Sequence, residues 1–490
     1  MSGYDNDDVP ILNIPCSERI IKLSELFYNA FGCEPSYFVR VPGRVNIIGE
    51  HIDYCGYPVL PMALEQDILM AVNVIEESKL YLRNADTKYK GVDMSINAYE
   101  EFNITPDSSG KPYWYNYILC GIKGAMEHLN NSSCKGLQLY VDGNIPPASG
   151  LSSSSALVSA ACLSYLYAHK GTLNKTAIAS LCAKSERYIG TQGGGMDQAI
   201  AFLAKKYSAQ YITFQPLNAT PVALPEDATF VVAHSLAEAN KAATNDFNRR
   251  VIECRLAAKI LATLSGVISE EKVITLSQLQ KILNNSLNEM RELVLKYIPK
   301  DIYTKAEICK ILKINETDLD ESFLTNNTKH LTEFKLKQRA LHVYEEAQRV
   351  EDFRKICTYS KLESATTNGA INGGTTGLAN NDSGEILTAL GNLMSKSHES
   401  LRTLYECSHA NLDELVNISR TVNIHSRLTG AGWGGCIVAL CPKEMVEKYI
   451  DTLKEEFYVK YCNLEKRNAD SYIFATTPNY GALIYKNLVI

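Results

Sequence analysis

Apolar positions change their spacing along the chain, and the spacing predicts the order of helices and strands. Near the amino terminus the apolar residues follow a helical period at Ile20, Ile21, Leu23, Leu26, Phe27 and Phe31. Apolar runs at 37–41 and 59–75 are typical of strands, and a helix is predicted from about 175 to 188. The first half of the chain is therefore predicted to mix helices with strands.

The second half of the chain has a more helical pattern. A strand-like run at 228–233 precedes a polar stretch at 240–245 and a helix at 246–264. Residues 265 to 350 are mostly helical and charged, and further helices are predicted at 386–408 and near 444–461. Strand-like runs at 471–476 and 481–485 close the chain. Residues 366–383 break all periodicity and predict a mobile surface loop.

Composition narrows the class of protein. A chain of 490 residues with 46% hydrophobic and 21% charged residues has room for two packed domains and is not generally disordered. The net charge of −6 comes without long blocks of either sign, which argues against nucleic-acid binding through a broad basic face. No uninterrupted apolar segment has the length of about eighteen residues that a membrane helix needs. We therefore expect a soluble protein with a small ligand.

Cysteine usage adds an expectation about location. The fourteen cysteines are scattered, without CxxC pairs or metal-type Cys/His spacing. The first eight residues lack the charge and the apolar run of a signal peptide. A reducing cytoplasm is the expected compartment.

Residues 143–155 (GNIPPASGLSSSS) combine a turn, a bend at Gly150 and a run of four consecutive serines directly before an apolar helix. Gly150 allows close backbone approach, and the free amides that open a helix bind anions well. The pattern therefore predicts a phosphate site. A serine N-cap after a proline-rich turn explains the same residues equally well.

Two other segments place polar side chains beside glycines. Glu50, His51 and Asp53 follow an apolar run within four positions, which is typical of acceptors for a polyhydroxylated ligand. Asp197 follows three glycines and precedes a second apolar run. Glu186 sits on the predicted helix at 175–188, where it is a metal carboxylate or a surface charge.

These segments together resemble the GHMP kinases, and within them the galactokinase family. Residues 41–54 (VPGRVNIIGEHIDY) resemble the galactokinase signature, residues 150–156 (GLSSSSA) the phosphate loop and residues 428–435 (LTGAGWGG) the third, Gly-rich motif. The resemblance implies an α+β fold of two lobes, 1–225 and 226–490, with the active site in the cleft between them. Residues 55–62, 184–191 and 240–244 are most similar to the N-acetylgalactosamine kinases of this family.

The resemblance also implies roles for individual residues. Asp197 and Arg44 take the catalytic positions beside the anomeric hydroxyl. The sugar-binding positions are Arg44, Glu50, His51, Asp53, Gly194, Asp197 and Phe247. The nucleotide positions are Gly150, Leu151, Ser152, Ser153, Ser154, Asn240, Lys241 and Trp114, of which Trp114 is equally well explained as a core aromatic. ATP is the implied co-substrate, and Ser154 and Glu186 are the implied ligands of Mg²⁺.

The implied reaction is transfer of the ATP γ-phosphoryl group to the anomeric hydroxyl of a galactose-type sugar. Phe247 stands where galactokinases carry a tyrosine, and loss of that hydroxyl suits an N-acetyl group. N-acetylgalactosamine is therefore the expected sugar, with secondary activity on galactose. A galactokinase proper is the nearer alternative, and a non-catalytic sugar sensor is the remote one, because the serine loop is complete. We expect a monomer that binds neither nucleic acid nor membrane.

Three departures from the family pattern remain. Ser155 replaces an alanine found in many members, residues 409–411 (HAN) replace Cys-Pro-Glu, and residues 366–383 form an insertion. We expect none of these departures to touch a catalytic position.

Overall fold

A computed structural model describes residues 7–96, 102, 104–108, 110–130, 135–146, 148–238, 245–267, 274–367 and 383–487. The first half of the chain is organised around a seven-stranded mixed sheet with the order β1-β15-β2-β3-β6-β4-β5. Its strands are β1 (Ile11–Leu12), β2 (Tyr37–Ile48), β3 (Leu60–Ile75), β4 (Lys79–Asn84), β5 (Val92–Ser95), β6 (Gly136–Gly143) and β15 (Leu483–Tyr485).

Five helices accompany this sheet. They are α1 (Glu18–Phe31), α2 (Trp114–Leu129), α3 (Ser153–Ala168), α4 (Lys175–Ser185) and α5 (Met196–Leu203). The apolar stripe of α1 packs on one face of the sheet, where its Phe27 joins a cluster with Phe38 and Leu69. Helix α3 packs on the opposite face against β2 and β3. Helices on both faces bury all of β2 and most of β3.

Strand β2 is longer than the sequence predicted. The apolar run predicted a strand over 37–41, because Pro42 and Gly43 interrupt it. The strand instead continues to Ile48 with all twelve residues buried. Shifts in its pairing with β3 fall between Pro42 and Arg44 and between Asn46 and Ile48. These irregularities let the strand accommodate proline and glycine without ending.

The second half of the chain carries a four-stranded antiparallel sheet with the order β12-β13-β9-β14. Its strands are β9 (Ala228–His234), β12 (His425–Thr429), β13 (Cys436–Pro442) and β14 (Ile473–Thr476). Two small sheets pair β7 (Ser208–Phe214) with β8 (Leu217–Ala223), and β10 (Tyr303–Thr304) with β11 (Glu333–Phe334).

Helices make up most of the remaining chain. They are α6 (Asp246–Leu264), α7 (Leu276–Leu283), α8 (Leu287–Tyr297), α9 (Lys305–Leu312), α10 (Glu316–Phe323), α11 (Leu336–Thr367), α12 (Ser383–Thr403), α13 (Ala410–Thr421), α14 (Val446–Leu453) and α15 (Lys466–Ala469). A π-helix at Lys454–Tyr461 extends α14. Within the described residues, no helix combines the length and the apolarity that crossing a membrane requires.

Several predicted boundaries move. The helix predicted at 175–188 ends at Ser185, and Glu186 opens a 3₁₀ turn (Glu186–Ile189) that Gly190 closes with a φ of 92°. The helix predicted at 386–408 is α12, which runs from 383 to 403. The predicted loop at 366–383 begins two residues too early, since α11 includes 366 and 367; residues 368–382 lie outside the described residues.

The two large sheets and their helices form the expected α+β fold of two lobes. The division at residue 225 stays a prediction. Strand β15, which that division assigns to the second lobe, pairs with β2 in the first sheet through Leu483 and Arg40. The carboxy-terminal end of the chain therefore returns to the amino-terminal sheet.

Candidate active site

A cavity of about 640 Å³ lies in the cleft between the two large sheets. Its walls include Arg44 on β2, the first residues of α3 and α5, and the turn that follows β12. Volumes of about 300–1,000 Å³ are typical of sites that enclose small molecules. The fold thus brings all three motifs to one cavity, although they lie far apart in the sequence.

The loop before α3 has the geometry of an anion site. Gly150 and Ser152 both have left-handed backbone conformations, with φ of 75° and 63°. The sixteen-residue helix α3 begins at Ser153, and its first amides have no carbonyl partner within the helix. Ser152, Ser153 and Ser154 line the cavity. The Ser152 hydroxyl is buried and has no hydrogen-bond partner among the described residues. These features fit a phosphate group.

Leu151 is not at the cavity. Its side chain is fully buried in the core and is absent from the cavity wall, so the prediction that it binds the nucleotide does not hold for its side chain. Its carbonyl accepts the backbone N–H of Arg44 at 3.1 Å. Leu151 therefore anchors the loop to β2.

The third motif packs directly on the phosphate loop. A Cβ added to Gly430 would lie 2.5 Å from the carbonyl oxygen of Gly150, so the two backbones approach to a distance that only glycine permits. Gly430 also has a φ of 84°. The second lobe therefore closes one side of the phosphate loop.

Arg44, which is buried, forms an ion pair beside this loop with Asp197, whose side chain is 14% exposed. The Arg44 Nε atom donates to Asp197 Oδ1 at 2.7 Å, and Nη1 donates to the Gly150 carbonyl at 2.5 Å. The Arg44 Nη2 atom is buried without a hydrogen-bond partner among the described residues. Burial opposes the charge of Arg44, but the nearby Asp197, Glu50 and Asp53 outweigh it and raise the pKa of Arg44 above its ordinary value. The guanidinium is therefore charged, and the N–H groups of Nη2 are left for a ligand.

Glu186 lies in a network that the sequence did not predict. Its Oε2 atom accepts the Ser155 hydroxyl at 2.7 Å and also accepts Gln198 Nε2. The same hydroxyl oxygen lies 3.3 Å from Asp197 Oδ2. Contrary to what we expected of the departures from the family pattern, Ser155 thus contacts Asp197, the predicted catalytic residue. Ser155 lies 31 positions from Glu186 and 42 positions from Asp197 in the sequence. The residues next to each of them therefore give no sign of these contacts.

The donor set around Glu186 suits Mg²⁺. Magnesium usually takes one or two carboxylates and completes its shell with substrate phosphates and water. Glu186 and Ser154 both line the cavity at the phosphate loop, which matches that pattern. Among the described residues there is no group of three or more His, Cys, Asp and Glu side chains that could hold a metal by themselves.

Glu50 reaches the cavity but is also bound by the second lobe. Its Oε2 atom accepts Arg427 Nη2 at 2.8 Å and the Gly430 N–H at 3.0 Å. Both side chains of the ion pair are buried, with exposed fractions of 3% for Glu50 and 0% for Arg427. Glu50, which is predicted to bind the sugar, therefore also joins the end of β2 to β12. Arg427 is a second residue that the sequence analysis missed.

His51 lines the cavity with both ring nitrogens bonded to protein groups. Nε2 lies 2.9 Å from the Ala431 carbonyl and must donate to it, so Nδ1 accepts from the Tyr54 hydroxyl at 2.7 Å. The Tyr54 hydroxyl is in turn 2.7 Å from that of Tyr405. These bonds favour His51 as a residue that organises the wall over its predicted role as a hydrogen-bond partner of the sugar.

Asp53, Gly194 and Phe247 meet at the remaining wall of the sugar end. A Cβ added to Gly194 would lie 2.5 Å from Asp53 Oδ2, so the glycine backbone touches the carboxylate directly. The Phe247 ring is 5% exposed and packs beside Tyr54 and His51. This wall therefore combines one carboxylate with an apolar ring, and its role in binding sugar stays a prediction.

The opposite end of the cavity is aromatic. Trp114 opens α2, lines the cavity together with Tyr89, and donates its indole N–H to the Lys90 carbonyl at 3.0 Å. Trp114 also packs against the hydrophobic core, so its role at the nucleotide stays a prediction. Asn240 and Lys241, the other predicted nucleotide residues, lie outside the described residues.

Family models match three parts of the chain. The galactokinase galactose-binding signature matches residues 25–74, the GHMP kinases N-terminal domain matches 116–205, and the GHMP kinases C-terminal domain matches 384–459. A galactokinase of Dictyostelium discoideum is 39% identical over 96% of this chain and 95% of its own length. The chain belongs to the galactokinase family.

Other relatives agree with this family assignment. A galactokinase of Saccharomyces cerevisiae is 30% identical over 98% of this chain and 97% of its own length. The solved galactokinase of Lactococcus lactis, in complex with galactose, matches 95% of this chain and 99% of its own with a TM-score of 0.68 and 21% identity, which supports the two-domain fold. The chain is a sugar kinase of the galactokinase type. These relatives are named galactokinases, which supports the alternative of a galactokinase proper better than that of an N-acetylgalactosamine kinase.

Proposed function

We propose that this chain transfers the γ-phosphoryl group of ATP to the anomeric hydroxyl of a galactose-type sugar. The observation that carries the proposal is the Arg44–Asp197 ion pair, which lies directly beside the phosphate loop. A sugar hydroxyl next to Asp197 would face a phosphate held by Gly150 and the first turn of α3. The galactokinase names of the relatives support the same reaction.

The chemistry depends on position and charge. The anomeric oxygen attacks the γ-phosphorus, the bond from that phosphorus to the β–γ bridging oxygen breaks, and ADP leaves. The hydroxyl proton passes to Asp197, which orients the oxygen before the transfer and accepts the proton as the new bond forms. Arg44 Nη2 donates to the transferring group, where negative charge develops on the phosphoryl oxygens. The product is the α-1-phosphate of the sugar.

Magnesium belongs to the proposal as the ion that accompanies ATP. Ser154 and Glu186 would hold it at the start of α3. When bound, it neutralises charge on the phosphates. The Arg44–Asp197 pair lies in the same cavity, so the protein supplies charges of both signs at the point of transfer.

Galactose is the first candidate sugar because the relatives at 39% and 30% identity are named galactokinases. N-acetylgalactosamine is the second candidate, and Phe247 is the observation that favours it. The ring presents carbon atoms to the cavity beside Gly194, and an acetyl methyl group gains from contact with such a wall. Both sugars share the configuration at C4, so activity on both is expected.

Side-by-side kinetics test the proposal. We would measure ATP-dependent phosphorylation of galactose and N-acetylgalactosamine, with glucose as the control for configuration at C4 and Asp197→Asn as the matched inactive variant. Turnover of either galactose-type sugar that Asp197→Asn abolishes supports the proposal, and the ratio of the kcat/KM values decides between the two sugars. Binding of sugar and ATP without turnover would overturn it in favour of a sugar sensor.

Three further properties are proposed with this function. The chain divides near residue 225, acts as a monomer and works in the cytoplasm. Free thiols at every cysteine in the described part of the chain support a reducing compartment. Light scattering coupled to gel filtration tests the monomer, since a mass near twice 54.4 kDa would contradict it.

A further inference from the structure

A serine hydroxyl lies between two carboxylates behind the wall of the cavity. The Ser155 Oγ atom is 2.7 Å from Glu186 Oε2 and 3.3 Å from Asp197 Oδ2. Glu186 and Asp197 both line the cavity, whereas Ser155 is 2% exposed and is absent from the wall. The hydroxyl therefore reaches both carboxylates from the protein interior and occupies no space that a ligand would need.

Each of the three residues belongs to a different element. Ser155 is in the first turn of α3, Glu186 opens the 3₁₀ turn after α4, and Asp197 is in the first turn of α5. Two further side chains hold the ends of the group: Arg44 donates to Asp197 Oδ1 and Gln198 donates to Glu186. Ser155 therefore lies at the centre of a cluster that runs from Arg44 to Gln198, with both carboxylates within reach of its hydroxyl.

The hydroxyl has one proton to donate, and two carboxylate oxygens lie within its reach. The shorter distance assigns the proton to Glu186, and rotation about the Cβ–Oγ bond redirects it to Asp197 without any movement of the backbone. Two carboxylates that share one hydroxyl repel each other, and a donor between them offsets that repulsion. Loss of the hydroxyl would leave Asp197 held on its Oδ1 side by Arg44 and freer on its Oδ2 side.

We infer that Ser155 is a positioning residue for phosphoryl transfer, which fixes the orientation of the Asp197 carboxylate by linking it to Glu186. The inference rests on the proposed function. It concerns the transfer step alone, because Ser155 has no surface in the cavity through which it could bind sugar or nucleotide. Reaction rates that depend on orientation are sensitive to small displacements of the acting group.

Three variants of helix α3 test this inference. Ser155→Ala removes the hydroxyl and keeps helix propensity. Ser159→Ala is the matched control, because Ser159 lies one turn further along the same helix, is fully buried and has a hydroxyl without a partner among the described residues. Ser155→Thr restores a hydroxyl at the original position. For each variant we would measure kcat, the KM values of sugar and ATP, the Kd of the sugar by calorimetry, and the melting temperature.

The expected result is a loss of about tenfold in kcat for Ser155→Ala, as for a hydrogen bond to a charged group, with sugar Kd and KM unchanged within about twofold. Ser159→Ala should keep the wild-type kcat, and Ser155→Thr should recover part of the loss. A wild-type kcat for Ser155→Ala, a loss that appears in Kd, or equal losses at both serines would overturn the inference and leave the proposed function standing. An inactive wild type would overturn both. The two alanine variants decide the matter even if the threonine variant does not fold.

Discussion

The buried Glu50–Arg427 pair should be a main energetic link between the end of β2 and the second lobe, and a double-mutant cycle measures it. Arg427→Met removes the guanidinium and leaves a buried carboxylate, while Glu50→Gln leaves a buried guanidinium with the carbonyls of Asn46 and Ile47, each at 3.0 Å. The double variant leaves neither charge. The cycle therefore separates the pair from its surroundings.

The structure sets the magnitude. Because both side chains are at most 3% exposed, breaking the pair leaves a charge away from water without its hydrogen-bonded partner. Such losses cost about 3–5 kcal/mol for each single change, whereas removal of both charges together costs much less than the sum. We expect a coupling free energy on the order of 3 kcal/mol between the two positions. The pair thus differs from a surface ion pair, which contributes about 0–1 kcal/mol.

Urea unfolding followed by tryptophan fluorescence provides the assay. The chain has two tryptophans, Trp114 on α2 and Trp433 in the third motif, so each half of the chain carries one reporter. Arg402→Met is the matched control, because Arg402 pairs with Glu399 on the surface with exposed fractions of 46% and 50%. Additive losses for the two single changes at the buried pair, or a loss as small as that of the control, would refute the reasoning.

Three more predictions follow from individual contacts. Phe247→Tyr should shift the ratio of kcat/KM values toward galactose by about tenfold, and an unchanged ratio in competition kinetics would remove the argument for the apolar wall. Gly194→Ala should raise the sugar KM by at least about tenfold, because the new Cβ would lie 2.5 Å from Asp53 Oδ2. Gly193→Ala is the control and should leave the KM unchanged, because a Cβ at that position meets open space. Equal KM values for the two variants would contradict the predicted clash. Burial lowers the pKa of His342 to about 4. As the pH falls from about 6.5 to 4, this histidine therefore becomes protonated in the unfolded chain but stays neutral in the native state. Stability should fall by about 3 kcal/mol over that window, and urea titrations of His342→Gln should show a shallower pH dependence than the wild type.

The sequence predicted those parts of the fold and the site that depend on local pattern. Helix α1 has a clear apolar period, and each of the three glycine-containing motifs is an unbroken stretch of sequence. Those motifs led to a cavity that holds Arg44, Ser154 and Asp197 together. Local pattern and motif were sufficient for these features, because each is set by neighbouring residues.

Contacts between distant elements were not predictable in the same way. Ser155 meets Glu186 only because α3 and the turn after α4 pack together, and Glu50 meets Arg427 across 377 positions. The bond of His51 Nε2 is to the carbonyl of Ala431, which is also remote in sequence. A single sequence carries no record of such pairings, so the residues that organise the site were missed while the residues that form its wall were found.

The position of β15 has a consequence for the order in which the chain can mature during synthesis. Residues 483–485 lie between β1 and β2 and pair with both, parallel to one and antiparallel to the other. A growing chain on the ribosome therefore carries β2 with an open edge until residues 483–485 have emerged, and that edge belongs to the strand with Arg44. The amino-terminal sheet is translated first but completed last, so the nascent chain must protect an exposed strand for most of its synthesis. Termination before residue 483 would therefore leave the first sheet without the strand that joins β1 to β2.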